Sequence, residues 1–171
     1  MFTSIQFTYF HALGSELKAD CARKVSDLTV GSGDLRPQML PLTPVDVLLR
    51  RVGVAALVDD QLAGYIGAQD PVVHESSQMT EVGSLVVAPA FRRRHIASAL
   101  VAALTWHVKL AGETPYVFCN PSSIRIFERA GYSAACAKEI PRQAFGLCTN
   151  CPARPSEGGC CDATLIFGHG L

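Results

Sequence analysis

Residues 83–104, GSLVVAPAFRRRHIASALVAAL, place an apolar strand, a Pro turn, a basic loop and an amphipathic helix in immediate succession. No other stretch constrains the chain as much. A strand end beside a helix N-terminus leaves several backbone N–H groups unpaired at the positive end of the helix dipole. That is an anion site, suited to a pyrophosphate. Arg92, Arg93 and Arg94 add positive charge at the same point, and Ala97 and Ser98 are small enough for a ligand to approach the backbone.

The surrounding pattern predicts a mixed α/β sheet covered by helices. Residues 2–10 alternate as a half-buried strand with Ile5, Phe7 and Tyr9 inward. A helix follows with Leu13, Leu17, Cys21, Val25 and Leu28 on one stripe, ending at Gly31 and Gly33. Thr43, Pro44 and Asp46 look like an N-cap, a first-turn Pro and an acidic first turn, giving a short helix over 44–51. Strands are expected at 54–60, 62–68 and 79–88, with Pro71 ending the second. A helix is then expected over 91–111, a strand at 116–119, and a helix opened by Asn120 and Pro121 and stopped by Gly131. Strand-like pieces at 132–140 and 162–168 flank a Pro- and Cys-containing insertion at 141–161. With 171 residues, 49% of them hydrophobic, and no internal repeat, residues 1–171 form a single domain. Fifteen basic and fifteen acidic residues give a formal net charge of zero. Global charge therefore gives no support to a nucleic-acid or membrane-surface partner. No apolar run approaches a membrane span and the N-terminus lacks a signal-peptide layout, so the cytoplasm is the expected compartment.

The strand–turn–helix resembles the acyl-CoA-binding motif of the GNAT superfamily of N-acetyltransferases, in which an L-x-V-x-P-like strand leads into [Q/R]-x-x-G-x-[G/A]. Leu85, Val87 and Pro89 fit the first part and Arg92, Ile96 and Ala97 the second; His95 stands where the family has Gly. Residues 120–132, NPSSIRIFERAGY, are similar along their length to a second family segment, N-x-[AS]-[AS]-I/L-x-[LF]-[YF]-E-[KR]-x-G-[FY]. The resemblance implies a mixed, mostly antiparallel central sheet with splayed middle strands and helices on both faces. It implies acetyl-CoA as co-substrate and a primary amine as acceptor, with direct transfer in a ternary complex. Backbone groups of Leu85, Val86 and Val87 would hold the pantetheine arm, one N–H polarising the thioester carbonyl. Residues Arg92, Arg93, Arg94, His95, Ile96, Ala97 and Ser98 would bind the pyrophosphate. Asn120 would contact the pantetheine amides, and Ser122 and Ser123 would bond the cofactor or cap their helix. Phe127 takes a place where many members carry a Tyr that protonates the departing thiolate. Glu81 is the candidate general base, with an edge-strand structural role as its rival and His74, Glu75 and His107 in reserve. An acyl-CoA-binding or regulatory protein without turnover is the alternative reading, and a homodimer is a further expectation.

Four of the seven cysteines, Cys148, Cys151, Cys160 and Cys161, fall within CTNCPARPSEGGCC. A C-x-x-C followed by a second Cys pair suits a structural, tetrahedral zinc site, with Cys136, Asp162 or His169 able to replace one of the adjacent pair. Disulfides and free thiols are the other two readings.

Overall fold

The computed structural model describes residues 4–30, 41–145 and 163–168. Eight strands, β1 (Gln6–Tyr9), β2 (Val52–Val58), β3 (Gln61–Ala68), β4 (Val72–His74), β5 (Ser77–Val87), β6 (Thr114–Cys119), β7 (Tyr132–Ala134) and β8 (Ala163–Phe167), build one sheet. Its order is β1-β2-β3-β5-β6-β8-β7, with β4 paired on β5. All pairings are antiparallel except β5–β6, which is parallel. Four α-helices accompany it: α1 (Ser15–Val30), α2 (Pro44–Leu48), α3 (Ile96–Leu110) and α4 (Pro121–Arg129).

Both faces of the sheet are covered. Ile96, Leu100, Val101, Leu104 and Val108 of α3 bury against Val54, Ala56, Ile66, Ala68 and Val82, and Phe127 of α4 joins them. On the opposite face Cys21, Ala22 and Val25 of α1 and Val47 of α2 close over Ala55, Leu57, Tyr65 and Val86. This explains why β2 and β3 are continuous apolar runs without alternation: each is buried on both sides. Asp59 and Asp60, both at positive φ (48° and 57°), make the two-residue turn that joins them. Thr43 caps α2 in a full capping box with Asp46, as its sequence suggests.

The structure corrects three expectations. The residues expected inward on β1 are largely outward, with Phe7 41% and Tyr9 38% exposed, because β1 is an edge strand held only by β2. Helix α3 begins at Ile96 rather than 91: Pro89–Phe91 form a 3₁₀ turn, and Arg93 and His95 take left-handed backbone, which a right-handed helix cannot contain. The strand expected at 132–140 stops at Ala134. The Glu139 carboxylate accepts from the Cys136 N–H and turns the chain, delivering Ile140 to a buried cluster with Met79, Tyr116 and Ile166. The β2–β3 pair ends before Pro71, as expected, and a short strand that the sequence did not announce, β4, follows it and folds back on β5 through Glu75 at φ 54°. Among the described residues no helix is long and apolar enough to cross a membrane.

Candidate functional site

Strands β5 and β6 pair over only three positions, Met79↔Thr114, Thr80↔Pro115 and Glu81↔Tyr116. Beyond Tyr116 strand β6 continues on β8, reaching Cys119↔Ala163, while β5 continues on β3, reaching Val87↔Gly64. The two strands thus share one end and part at the other. The seam opens between Leu85, Val86 and Val87 on one side and Val117, Phe118 and Cys119 on the other.

A bulge sets the direction in which β5 leaves. Its partners on β3 shift from Gly67↔Gly83 to Tyr65↔Val86, so β5 spends one residue more than its neighbour, and Ser84 sits at φ 57°. The extra residue inverts the facing of the strand. Val82 packs towards α3, whereas Val86 packs towards Tyr65 and α1, and Leu85 and Val87 turn to the α3 side. Arg50 Nη2 donates to Ser84 Oγ at 3.1 Å, tying the bulge to the segment that enters β2.

At the end of β5 the chain turns through Pro89 and the three arginines into α3. Arg92 Nε donates back to the Val87 carbonyl (3.3 Å), and the Arg94 guanidinium lies 5.7 Å from the centre of the Phe91 ring. The arginines therefore brace the turn as well as charge it. His95 is the N-cap of α3 at φ 61°, ψ 11°, and its side chain makes no capping bond. It adopts the left-handed conformation for which glycine is the easy choice and to which histidine is one of the more tolerant alternatives. Alternation of left- and right-handed residues at a helix start turns successive N–H groups inward to form an anion nest. Ala97 is half-buried and Ser98 exposed at the first turn, while the Ile96 side chain is in the core, so only its backbone faces the nest.

On the opposite wall, Asn120 Oδ1 accepts from the Ser123 N–H (3.1 Å) and the Ser122 hydroxyl (2.7 Å), capping α4. The Ser123 hydroxyl donates to the Asn120 carbonyl at 3.1 Å. The cap of α4 is thus Asn120, and the Ser123 hydroxyl bonds back to the cap residue. Phe127 is 1% exposed, its ring edge-on to Tyr132 at 5.2 Å, and it belongs to the core between α4 and the sheet. Burial raises the Cys119 thiol to about 11, so this cysteine at the end of β6 stays protonated at neutral pH.

Glu81 is half-buried at the last paired position of the seam. Burial lifts its carboxyl above the ordinary range, and the Arg50 charge opposes that only in part. Such a carboxylate is a stronger base than a solvated one. The reserve candidates lie elsewhere. His74 Nε2 contacts the Lys138 carbonyl at 3.0 Å, Glu75 is exposed in the β4–β5 turn, and His107 contacts Tyr9 Oη at 3.3 Å beside the sheet edge. Cys148, Cys151, Cys160 and Cys161 lie outside the described residues, as do Asp162 and His169. Among the described residues no group of three or more His, Cys, Asp or Glu side chains could hold a metal ion, and Cys136 instead bonds Glu139.

Arg50, Tyr65 and Ser84 also gather at the β5 bulge, and none stands out in a motif. The available signal was Gly83–Ser84 inside an apolar strand, a composition that marks bulges.

A family model described as the acetyltransferase (GNAT) family matches residues 37–132. No curated protein matches the sequence. Among solved structures, N-acetylglutamate synthase from Neisseria gonorrhoeae, complexed with coenzyme A and N-acetyl-glutamate, is similar at TM-score 0.69 and 13% identity over 98% of this chain. The chain spans only 35% of that synthase. Tetrahymena GCN5 is similar at TM-score 0.64 and 14% identity, covering 95% of this chain and 94% of its own. A GNAT family acetyltransferase from Brucella melitensis, in complex with acetyl-CoA, gives TM-score 0.58 and 13% identity over 78% of this chain and 85% of its own. At these identities the likeness is one of fold.

Proposed function

The chain belongs to the acetyltransferase (GNAT) family, and from that premise we propose that it transfers an acetyl group from acetyl-CoA to a primary amine by direct attack in a ternary complex. The observation that carries the reading is the seam that closes at Glu81↔Tyr116 and opens beyond it. An open seam leaves main-chain donors and acceptors of β5 unpaired beside an anion nest, which suits an amide-rich arm ending in a pyrophosphate.

In this reading the backbone of Leu85, Val86 and Val87 aligns the pantetheine arm. One N–H is held at the thioester oxygen, where negative charge develops as the amine attacks. The N–H groups from Arg92 to Ser98 and the three guanidinium groups neutralise the diphosphate. Glu81 takes a proton from the acceptor ammonium, directly or through water, so that nitrogen presents a lone pair. The N–C bond forms, the C–S bond breaks, and the second proton of the nitrogen passes through solvent to the departing thiolate, since Phe127 has none to give. Holding both substrates in one cleft supplies much of the rate.

Calorimetric titration with acetyl-CoA should saturate below about 1 mM, in the usual range for such substrates. No saturation there sinks the reading. Glu81→Gln should lower kcat by about 100-fold and remove the acidic limb of the pH–rate profile, leaving acetyl-CoA affinity unchanged. An unaltered profile takes Glu81 out of the mechanism. The buried, proton-less Phe127 favours the alternative of an acyl-CoA-binding protein without turnover; tight binding with no coenzyme A release across an amine panel would select it.

A further inference from the structure

Two buried side-chain polar atoms have no hydrogen-bond partner among the described residues, Arg50 Nε and Tyr65 Oη. Both side chains lie along one strip of the sheet. Gly53, Gly67 and Gly83 stand in register across β2, β3 and β5, forming a row without side chains. A Cβ on Gly67 would lie 2.8 Å from Tyr65 Oη and 3.2 Å from Arg50 Cγ, and one on Gly53 would lie 2.8 Å from the same hydroxyl. One on Gly83 would come 3.8 Å from Glu81 Oε1. The glycine row therefore admits the Tyr65 ring and the Arg50 stem onto the face where Glu81 stands.

Arg50 has few acceptors within reach. Arg51, the next residue, is fully matched: it forks onto Glu113 at 3.0 and 2.6 Å and donates to the Gln69 carbonyl. Arg50 has one neutral partner, Ser84, and no carboxylate within 4.0 Å among the described residues. The nearby Asp46 carboxylate is occupied by the Thr43 N–H and hydroxyl, both at 2.7 Å. A guanidinium presents five donors and accepts nothing, and leaving buried donors unpaired is costly. Together with an unpartnered phenol, it asks for an oxygen-rich anion, and a carboxylate fits a guanidinium fork.

We infer that Arg50 binds a carboxylate of the acceptor, so that the substrate is an amino acid whose nitrogen is presented to Glu81 from the glycine-lined face. The inference rests on the acetyl-transfer reading and specifies its acceptor class. Tyr65 supports the fork from below, and Ser84 fixes its direction.

The test uses acceptor pairs that differ only in the carboxylate: alanine against ethylamine, phenylalanine against phenethylamine, glutamate against its α-amide. With the full chain and saturating acetyl-CoA, the carboxylate member should have kcat/KM about 100-fold higher in at least one pair. Arg50→Gln should bring that ratio close to one, mainly through KM, with acetyl-CoA affinity unchanged, and Arg50→Lys should restore part of it. Equal or inverted ratios in the unaltered protein overturn the inference, as does an Arg50→Gln variant that lowers both members of every pair alike. Should Arg50→Gln fail to fold, ligand-observed NMR of the same pairs on the unaltered protein decides, and binding independent of the carboxylate again overturns it. A protein that binds acetyl-CoA yet neither binds nor acetylates any amino acid defeats the inference and leaves acetyl transfer standing. Failure to bind acetyl-CoA defeats acetyl transfer itself, and the inference with it.

Discussion

The two ends of the β5–β6 seam are made of opposite materials. At the closed end the polar groups answer one another: Glu113 is only 5% exposed, yet its carboxylate accepts a two-pronged bond from Arg51 and another from the Thr80 hydroxyl. At the open end they do not. Ser84 and Leu85 lie in a bulge, His95 caps α3 without a side-chain bond, and Arg50 holds donors in reserve. A fully satisfied buried network gives one rigid arrangement, whereas an unsatisfied one is stable only while its surroundings hold it, and such strain gathers at functional sites. The closed end is thus the hinge-pin that lets the open end remain open, and the chemistry lies where the fold is least at rest.

The strongest way to break this contrast is at the pin. Glu113→Ala leaves Arg51 charged and partly buried and Thr80 without its acceptor, and should cost about 3 kcal/mol in urea denaturation. A loss below about 1 kcal/mol would mean the pin does not hold the seam. The open end should respond more weakly and in function first. His95→Val forces a β-branched residue into left-handed backbone and should cost about 1–2 kcal/mol. His95→Gly should change stability by no more than about 0.5 kcal/mol while tightening acetyl-CoA binding in calorimetry, because the strain and the Cβ both go.

The smallest effect concerns Glu81 and turns on sign. Its folded carboxyl titrates above its unfolded value, so the native state binds more protons in the interval between them, and stability falls as pH rises through it. Glu81→Gln should therefore be more stable than the original protein at neutral pH. The margin should disappear below the ordinary carboxylate range, where both states of Glu81 are protonated. Paired denaturation curves at pH 7 and pH 3 check this; a margin that persists at low pH would assign it to packing instead of charge.

The part of the molecule written in local chemistry was legible. Thr43–Pro44–Asp46 announced the α2 cap, Asn120–Pro121 the start of α4, and Gly112 and Gly131 the helix stops, each through a bond or a φ that these residues uniquely ease. The splay was inferred only through resemblance, because strand parting is a property of registers between distant segments. The glycine row was illegible for a related reason. Its three glycines are 14 and 16 residues apart in sequence and meet only once β2, β3 and β5 are aligned. The burial of Phe127 follows from its own chemistry: a large ring with no polar atom, it lies in the core beside Tyr132.

One consequence of the bulge at Ser84 reaches beyond the site. Because it reverses which side chains look up and which look down, β5 is in effect two half-strands spliced out of phase. What the sequence must preserve there is the extra residue itself. Exchanging one apolar residue for another at 85, 86 or 87 changes a contact, but deleting Ser84 would close the bulge: Gly83, Leu85 and Val86 would pair in unbroken register with Gly67, Ile66 and Tyr65, each side chain keeping its face while the kink is lost. The one residue that no partner opposes is therefore what bends β5 on its way to α3.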